Sequence, residues 1–329
     1  MNNIEAERIR ERMPAIIAGE IECINRTLAG TRPGRATPAK TGENWTAVAG
    51  RSFISYGLKR DPTVLPQDIE KLIPTLREAL SALRRRPTLV RLRYMPLALE
   101  VAHPFPAPLD SSKARTQLAA DTMLTGRNYS GGAPVDDVLS FADTPHVLIA
   151  GTTGSGKSTL LRMMIATLAL NTSPDALRLY LVDLKNEDLL PFRRLPHVET
   201  TAITRAQAMD VVRFMHAEKN RRVLEGKAQG PRVVLVIDEL AQIADKSTLL
   251  LLDETLAVAR SKRINAIFAT QKPTVDVVGR LGKANLTTRL VGRVTTSDEA
   301  TTAAGRGETG AHLLPGQGAF LRVEVTHAR

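Results

Sequence analysis

The stretch HVLIAGTTGSGKSTLL, residues 146–161, joins a short apolar run to a glycine-rich turn and the start of a helical pattern. Its centre, GTTGSGKS, fits G-x-x-x-x-G-K-[ST] between a predicted strand and a predicted helix, the context that a phosphate-binding loop requires. The glycines let backbone N–H groups turn toward a phosphate, and the helix N-terminus adds partial positive charge. We expect the phosphates of a nucleotide to be bound by Gly151, Thr152, Thr153, Gly154, Ser155, Gly156, Lys157, Ser158 and Thr159.

Four side chains carry the chemistry expected beside such a loop. Lys157 is placed to reach the β- and γ-phosphates, and the Ser158 hydroxyl to ligate Mg²⁺. The apolar run VVLVIDEL ends in two carboxylates, Asp238 and Glu239. We expect Asp238 to hold the Mg²⁺ shell and Glu239 to act as general base toward the attacking water.

A third polar element follows the next apolar run. In ATQKP, residues 269–273, Gln271 stands at the end of a predicted strand. There it can orient water or sense the γ-phosphate. The alternative is a polar strand end with no catalytic part.

The second half of the chain alternates apolar runs with helical segments. The apolar runs are HVLIAG, LRLYLVD, VVLVID, INAIFATQ, TTRLVGRV and GAFLRVEV. Near-continuous Val, Ile and Leu strands separated by helices predict a mainly parallel sheet buried on both faces. We therefore predict an α/β domain over residues 128–329.

The first half of the chain has a different sequence pattern. An amphipathic helix is predicted over residues 4–28, followed by a Gly- and Pro-rich basic segment. A second helix is predicted over residues 67–84, before the half-exposed strand TLVRLRY. We predict an N-terminal helix and basic linker over residues 1–60 and a small α+β domain over residues 61–127.

Composition points to a polyanionic partner. The formal net charge is +11 and the sequence pI is about 10.1, which favours nucleic acid or an acidic membrane surface.

The single cysteine, Cys23, excludes a disulfide within the chain and fits a reducing cytoplasm. Since the sequence has no run of about 18 apolar residues, no transmembrane segment is expected, and we predict a cytoplasmic location.

These motifs together resemble the DNA-translocase motors of the FtsK/SpoIIIE family, within the HerA-like ring ATPases. The resemblance covers roughly 60% of the chain, residues 128–325. It is carried by PHVLIAGTTGSGKS, LYLVDLKNEDL, LPHV, VVLVIDELA, ARSKRINAIFATQKPTVDVV, KANLTTRL and GAHLLPGQGAFL.

The resemblance implies a RecA-like P-loop NTPase that binds ATP and Mg²⁺ and forms a homo-oligomeric ring, usually a hexamer, around double-stranded DNA. Arg260 stands in the place of the family's arginine finger, which would act in trans on the neighbour's γ-phosphate. Arg263 stands where the family commonly has a small residue, so which cation acts is left open. Membrane helices and a DNA-reading domain, which many members carry, are not expected in this sequence, which leaves room for an accessory membrane or DNA-reading partner.

Basic side chains near the predicted strand ends are candidates for contacts to DNA phosphates. Backbone tracking without sequence readout is expected, because aromatic residues for base stacking make up only 4% of the chain. The candidate DNA contacts are Lys272, Arg280, Lys283, Arg193 and Arg194.

The sequence thus predicts an ATPase that drives translocation of double-stranded DNA, in plasmid, phage or chromosome transfer or packaging. One alternative is a related ATPase that powers protein export. Another is an ATP-gated DNA clamp that does not translocate; a small-molecule kinase is less favoured because no acceptor-binding lid is evident. Stimulation of ATP hydrolysis by DNA separates the motor from protein export, and measurable turnover argues against the clamp.

Overall fold

The computed structural model of the protein describes residues 3–29, 47–49, 53–57, 66–85, 88, 90–94, 97–102, 118–128, 135–226, 230–307, 309–314, 316 and 318–325. The chain divides into two units. The first comprises Met1–Leu109, Arg127–Val135 and Leu313–Gln317, and the second comprises Asp110–Gly126, Asp136–His312 and Gly318–Arg329. The domain boundaries predicted after residues 60 and 127 stay predictions.

The first unit is the small α+β region that the sequence predicts. Its four-stranded sheet has the order β1-β2-β4-β3, and every neighbouring pair is antiparallel. Its core contains buried side chains of the first and third helices and of the sheet. The elements are α1 (Asn3–Ala29), β1 (Ala47–Ala49), β2 (Phe53–Gly57), α2 (Pro66–Glu70), α3 (Ile73–Arg84), β3 (Val90–Tyr94) and β4 (Leu97–Ala102).

Two sequence-based expectations for this unit need correction. The single helix predicted over residues 67–84 is interrupted between α2 and α3. Pro74 lies in the first turn of α3, where its missing N–H is harmless, but it cannot donate to the carbonyl of Glu70 and so cannot continue α2. The strands β1 and β2 also lie in the part for which only a helix and a linker were predicted.

The second unit is built on a seven-stranded sheet with the order β13-β12-β7-β11-β10-β8-β9. Every neighbouring pair is parallel except β12 with β13, so the predicted mainly parallel α/β fold is confirmed. A separate two-stranded sheet pairs β5 with β6. The elements are β5 (Thr122–Asn128), β6 (Val135–Ser140), β7 (His146–Ala150), α4 (Lys157–Asn171), β8 (Leu177–Val182), β9 (Val198–Ala202), α5 (Arg205–Leu224), β10 (Arg232–Ile237), α6 (Lys246–Ala259), β11 (Ile264–Thr270), α7 (Val275–Ala284), β12 (Thr288–Val291), α8 (Ser297–Ala304) and β13 (Leu321–Glu324).

The centre of the sheet is fully enclosed. Every residue of β7, β10 and β11 is buried, as expected for parallel strands covered on both faces. Leu161, Met164 and Leu168 of α4 are completely buried in the same core. Burial of one such side chain stabilises the fold by about 1.5–3 kcal/mol, so this core fixes the positions of the loops that follow its strands.

The edge of the sheet was harder to predict. The edge strand β9 has the sequence VETTA, and only its last residue is buried. Because β9 lacks the apolar run that marks the central strands, it was not predicted from the sequence.

Within the described residues, no helix is both long enough and apolar enough to span a membrane.

Candidate nucleotide-binding site

The strand order brings the predicted site residues to one edge of the sheet. Parallel strands present their carboxyl ends at the same edge, and ligands bind there in open α/β sheets. The phosphate-binding loop follows β7, Gln271 follows β11, and Asp238 and Glu239 follow β10. Since β11 lies between β7 and β10, Gln271 stands between the loop and the two acids.

The phosphate-binding loop is supported from neighbouring segments. The Thr152 N–H donates to the Arg293 carbonyl over 2.8 Å, and the Gly318 N–H donates to the Ser155 carbonyl over 2.8 Å. Gly156 caps α4 with a φ of 100°, a left-handed conformation that favours glycine. At Gly151 an added Cβ would lie 2.7 Å from the Ser155 Oγ, so the loop has no room for a side chain there. The tightness of the loop and its position at the start of α4 fit a bound phosphate.

Lys157 is drawn into this loop. Its side chain is 7% exposed, and Nζ donates to the Thr152 carbonyl over 3.0 Å. Burial lowers the pKa of Lys157, while the nearby Glu239 and Asp238 act in the opposite direction. The ammonium is therefore held over the loop close to both acids.

Asp238 lies in a crowded acidic environment. It is 6% exposed, and burial raises its pKa to about 6, with further contributions from Asp188 and Asp183. Lys185 partly offsets the rise. An excess of carboxylates next to a serine hydroxyl is the donor chemistry that suits Mg²⁺, so the residues present fit this ion.

Both carboxylate oxygens of Glu239 accept hydrogen bonds from residues at the end of β11. Its Oε1 accepts from the Thr270 hydroxyl over 2.7 Å, and its Oε2 accepts from the Gln271 N–H over 2.9 Å. The Gln271 side-chain oxygen in turn accepts from the Thr153 hydroxyl over 2.8 Å. A continuous hydrogen-bonded path thus joins the acid after β10 to the phosphate-binding loop.

Three residues of the site were not found from the sequence. Asp188 accepts a hydrogen bond from the Ser158 hydroxyl and pairs with Arg162, while Asp183 holds the loop that carries Asp188. The acids of DLKNED and the one-turn spacing between Ser158 and Arg162 were the available signals. Neither signal identifies a contact between a loop and a helix some thirty residues apart in the chain.

Of the candidate DNA contacts, Lys272, Arg193 and Arg194 are exposed, and each follows a strand of the parallel sheet. Within the residues described, these three side chains form no ion pair. The side chains of Arg280 and Lys283 lie outside the described part of the structure, as does the side chain of Arg260. The roles assigned to all six side chains stay predictions.

Comparison with known proteins finds a family match over part of the chain. The family model FtsK/SpoIIIE matches residues 107–225. A relative from Bradyrhizobium diazoefficiens named DNA translocase FtsK is 29% identical over 374 residues, which cover 97% of this chain and 44% of the relative. The chain thus spans less than half of that relative's length.

Solved structures bear on the fold. The pCW3 conjugation coupling protein TcpA, in its monomer form with ATPgS, is similar with a TM-score of 0.54 and 19% identity over 93% of this chain and 91% of its own. EccC of Thermomonospora curvata (ATPases 2 and 3) is similar with a TM-score of 0.51 and 23% identity over 60% of this chain and 39% of its own. The α/β part of the chain therefore has the P-loop ATPase fold that the sequence predicted.

Proposed function

We propose that this protein is an ATPase that uses hydrolysis to move double-stranded DNA without sequence readout. The observation that carries the proposal is the placement of the phosphate-binding loop, Asp238 and Glu239 at one edge of the sheet in a chain that aligns over 97% of its length with a protein named DNA translocase. The similarity to EccC, at 23% identity, is a likeness of fold alone and does not favour protein export.

The hydrolytic chemistry follows from the residues at this edge. When bound, ATP with Mg²⁺ supplies the phosphoanhydride bond whose cleavage releases free energy. Lys157 would bind the β- and γ-phosphates, while Ser158 and Asp238 would hold the metal. Glu239 would accept the proton of the attacking water at its carboxylate, which first requires release from Thr270 and Gln271.

Arg260 would serve the nucleotide site of a neighbouring subunit. It begins a short helical turn, Arg260–Lys262, directly before β11, whereas the phosphate-binding loop adjoins the opposite end of that strand. The seven residues of β11 span about 20 Å at the rise of a parallel strand. This separation supports a role in trans, as an arginine finger within a homo-oligomeric ring such as a hexamer. Arg263 has a partner of its own chain, because its guanidinium lies 3.8 Å from Asp121.

DNA contacts would come from the segments after β8 and β11. We propose that Lys272, Arg280 and Lys283 bind backbone phosphates, together with Arg193 and Arg194. The net charge of +11 supports a partner with this chemistry. A cytoplasmic location, and an accessory membrane or DNA-reading partner, belong to the same proposal.

The test is ATP hydrolysis with and without long duplex DNA. We expect strong stimulation by the duplex in the natural chain. Arg280→Ala with Lys283→Ala should abolish the stimulation and leave basal hydrolysis intact, because only the contacts to phosphate are removed. The matched control is Lys71→Ala with Arg213→Ala, which removes the same charge from side chains that are 77% and 68% exposed. Equal loss of basal and stimulated turnover, or equal effects in the control, would contradict the proposed DNA contacts.

A further inference from the structure

Asp188 makes a direct bond to the serine of the phosphate-binding loop. The Ser158 Oγ donates to the Asp188 Oδ2 over 2.8 Å. A serine hydroxyl has one proton and two lone pairs, so donation to Asp188 fixes the proton and leaves the lone pairs free for another partner. The bond therefore determines the direction in which the Ser158 oxygen presents its lone pairs.

The Asp188 carboxylate is itself held in place by α4. Arg162, one helical turn after Ser158, pairs with the Asp188 Oδ1, and its Nε donates to the Asp188 backbone carbonyl over 2.8 Å. Ser158 and Arg162 thus both bind Asp188, from two positions on the same face of the helix. This arrangement restrains both the backbone and the side chain of Asp188.

The loop around Asp188 is fixed from its other side by Asp183. The buried Asp183 carboxylate accepts from the N–H groups of Glu187 over 3.0 Å and Leu189 over 2.9 Å, the two neighbours of Asp188 in the chain. It also accepts from the Asn186 N–H over 3.0 Å. Leu189 is completely buried in the core of the second unit. Asp188 is therefore presented to Ser158 by a loop with little freedom to move.

We propose that Asp188 is a positioning residue for Mg²⁺ at this site, acting through Ser158 and anchored by Arg162. It orients the serine hydroxyl toward the metal. Partners of this kind orient metal ligands in many proteins, and their loss typically lowers metal affinity about 10–100-fold. The inference rests on the proposed nucleotide site and on none of the proposed DNA contacts.

The experiment measures the equilibrium affinity for a fluorescent, non-hydrolysable ATP analogue, once with Mg²⁺ and once with EDTA. In the natural chain, Mg²⁺ should tighten binding of the analogue. Asp188→Asn should reduce this tightening about tenfold and leave the affinity in EDTA unchanged, because a neutral amide accepts from the Ser158 hydroxyl more weakly than a carboxylate and loses the ion pair with Arg162. Glu187→Gln is the matched control, because it removes the same charge from the adjacent, exposed residue and should leave both affinities unchanged.

Two further variants separate positioning from a merely structural role. In the Ser158→Ala background, Asp188→Asn should have no further effect, because the hydroxyl through which it acts is gone. Arg162→Gln keeps the acid but removes its anchor, and it should lower the Mg²⁺ effect less than Asp188→Asn does. Thermal unfolding shows that each variant is folded.

Three outcomes would overturn the inference. One is an equal loss of affinity with and without Mg²⁺ in Asp188→Asn, and another is an equal effect of Glu187→Gln. The third is a full effect of Asp188→Asn in the Ser158→Ala background. In each case the natural chain still binds the analogue and the proposed function stands, whereas failure of the natural chain to bind it at all would overturn both.

Discussion

Each of the two units buries a cluster of charged groups, and the charges of the two clusters are balanced in different ways. In the first unit the completely buried Glu20 accepts from the Tyr56 hydroxyl and forms an ion pair with Arg84. In the second unit Asp238 lies near three further acids, and these like charges add to the effect of burial in raising its pKa to about 6. The first cluster is compensated from within, while the second leaves negative charge for a bound cation to balance.

The difference separates a structural use of buried charge from a functional one. Burial and the neighbouring Glu20 raise the pKa of Tyr56 and keep its hydroxyl a donor, so the first cluster satisfies its own hydrogen bonds. Crowded carboxylates with perturbed pKa values are a mark of functional sites, where stability is given up for chemistry. Substitutions in the two clusters should therefore have opposite consequences for stability.

The largest expected effect is on turnover. Glu239→Gln should lower ATP hydrolysis about 10²–10⁴-fold, because an amide cannot take the proton of the attacking water. Nucleotide affinity should be retained, since the amide oxygen can still accept from Thr270. Steady-state hydrolysis and nucleotide binding measured on the same preparation check this, and retained turnover in Glu239→Gln would exclude Glu239 as the base.

The next effect is on the stability of the first unit. Glu20→Gln removes the buried carboxylate that pairs with Arg84 and should lower the free energy of unfolding by about 3 kcal/mol. Glu22→Gln is the matched control. Its pair with Arg26 joins side chains that are 68% and 79% exposed, and such pairs contribute little. Denaturant unfolding compares the two variants, and equal small losses would mean that the Glu20 cluster is not a structural element.

In the second unit, replacing a buried acid with its amide should stabilise the fold. The folded-state pKa of Asp238 is raised to about 6, so its ionised form is disfavoured by folding at neutral pH. Asp238→Asn should therefore raise the free energy of unfolding by about 2 kcal/mol at pH 7.5 in EDTA, with the gain disappearing below about pH 4, where the natural carboxyl is also neutral. Unfolding in denaturant at both pH values measures this. A loss of stability at pH 7.5 would show that the carboxylate is compensated like Glu20.

A smaller effect concerns His146, a buried side chain whose pKa is lowered mainly by burial. Burial lowers its pKa to about 4, partly offset by a backbone interaction with Leu256. Because the unfolded state takes up the proton near pH 6.5 and the folded state only near pH 4, stability should fall as the pH decreases between these values. From pH 7.5 to 5.5 the natural chain should lose about 1 kcal/mol more than His146→Gln. Parallel pH dependence in the two proteins would mean that His146 does not titrate differently on folding.

The sequence allowed prediction of those parts of the site that are local along the chain. The phosphate-binding loop has a fixed spacing between a strand and a helix, and Asp238 and Glu239 end an apolar run that the buried strand β10 requires. The alternation of apolar runs and helices also predicted the mainly parallel sheet. These features depend on neighbouring residues, so no knowledge of the tertiary structure was needed.

The rest depends on contacts between distant segments. The bond between Ser158 and Asp188 joins a helix to a loop 30 residues away, and the bonds of Glu239 to Thr270 and Gln271 form only because β10 and β11 are neighbours in the sheet. Neither has a periodicity or spacing that a sequence pattern could reveal. The polar edge strand β9 was missed for the related reason that its pairing with β8, and not its composition, makes it a strand.

If this site drives movement along duplex DNA, the protein should displace a third strand that lies in its path. A fluorescent oligonucleotide is bound as a triplex at increasing distances from the end of a long duplex, and its release is followed after ATP is added. We expect release with ATP, a delay that grows with distance, and no release with a non-hydrolysable analogue or in Glu239→Gln. If the natural chain hydrolyses ATP on this DNA but the third strand stays bound at every distance, the chain is not a translocase.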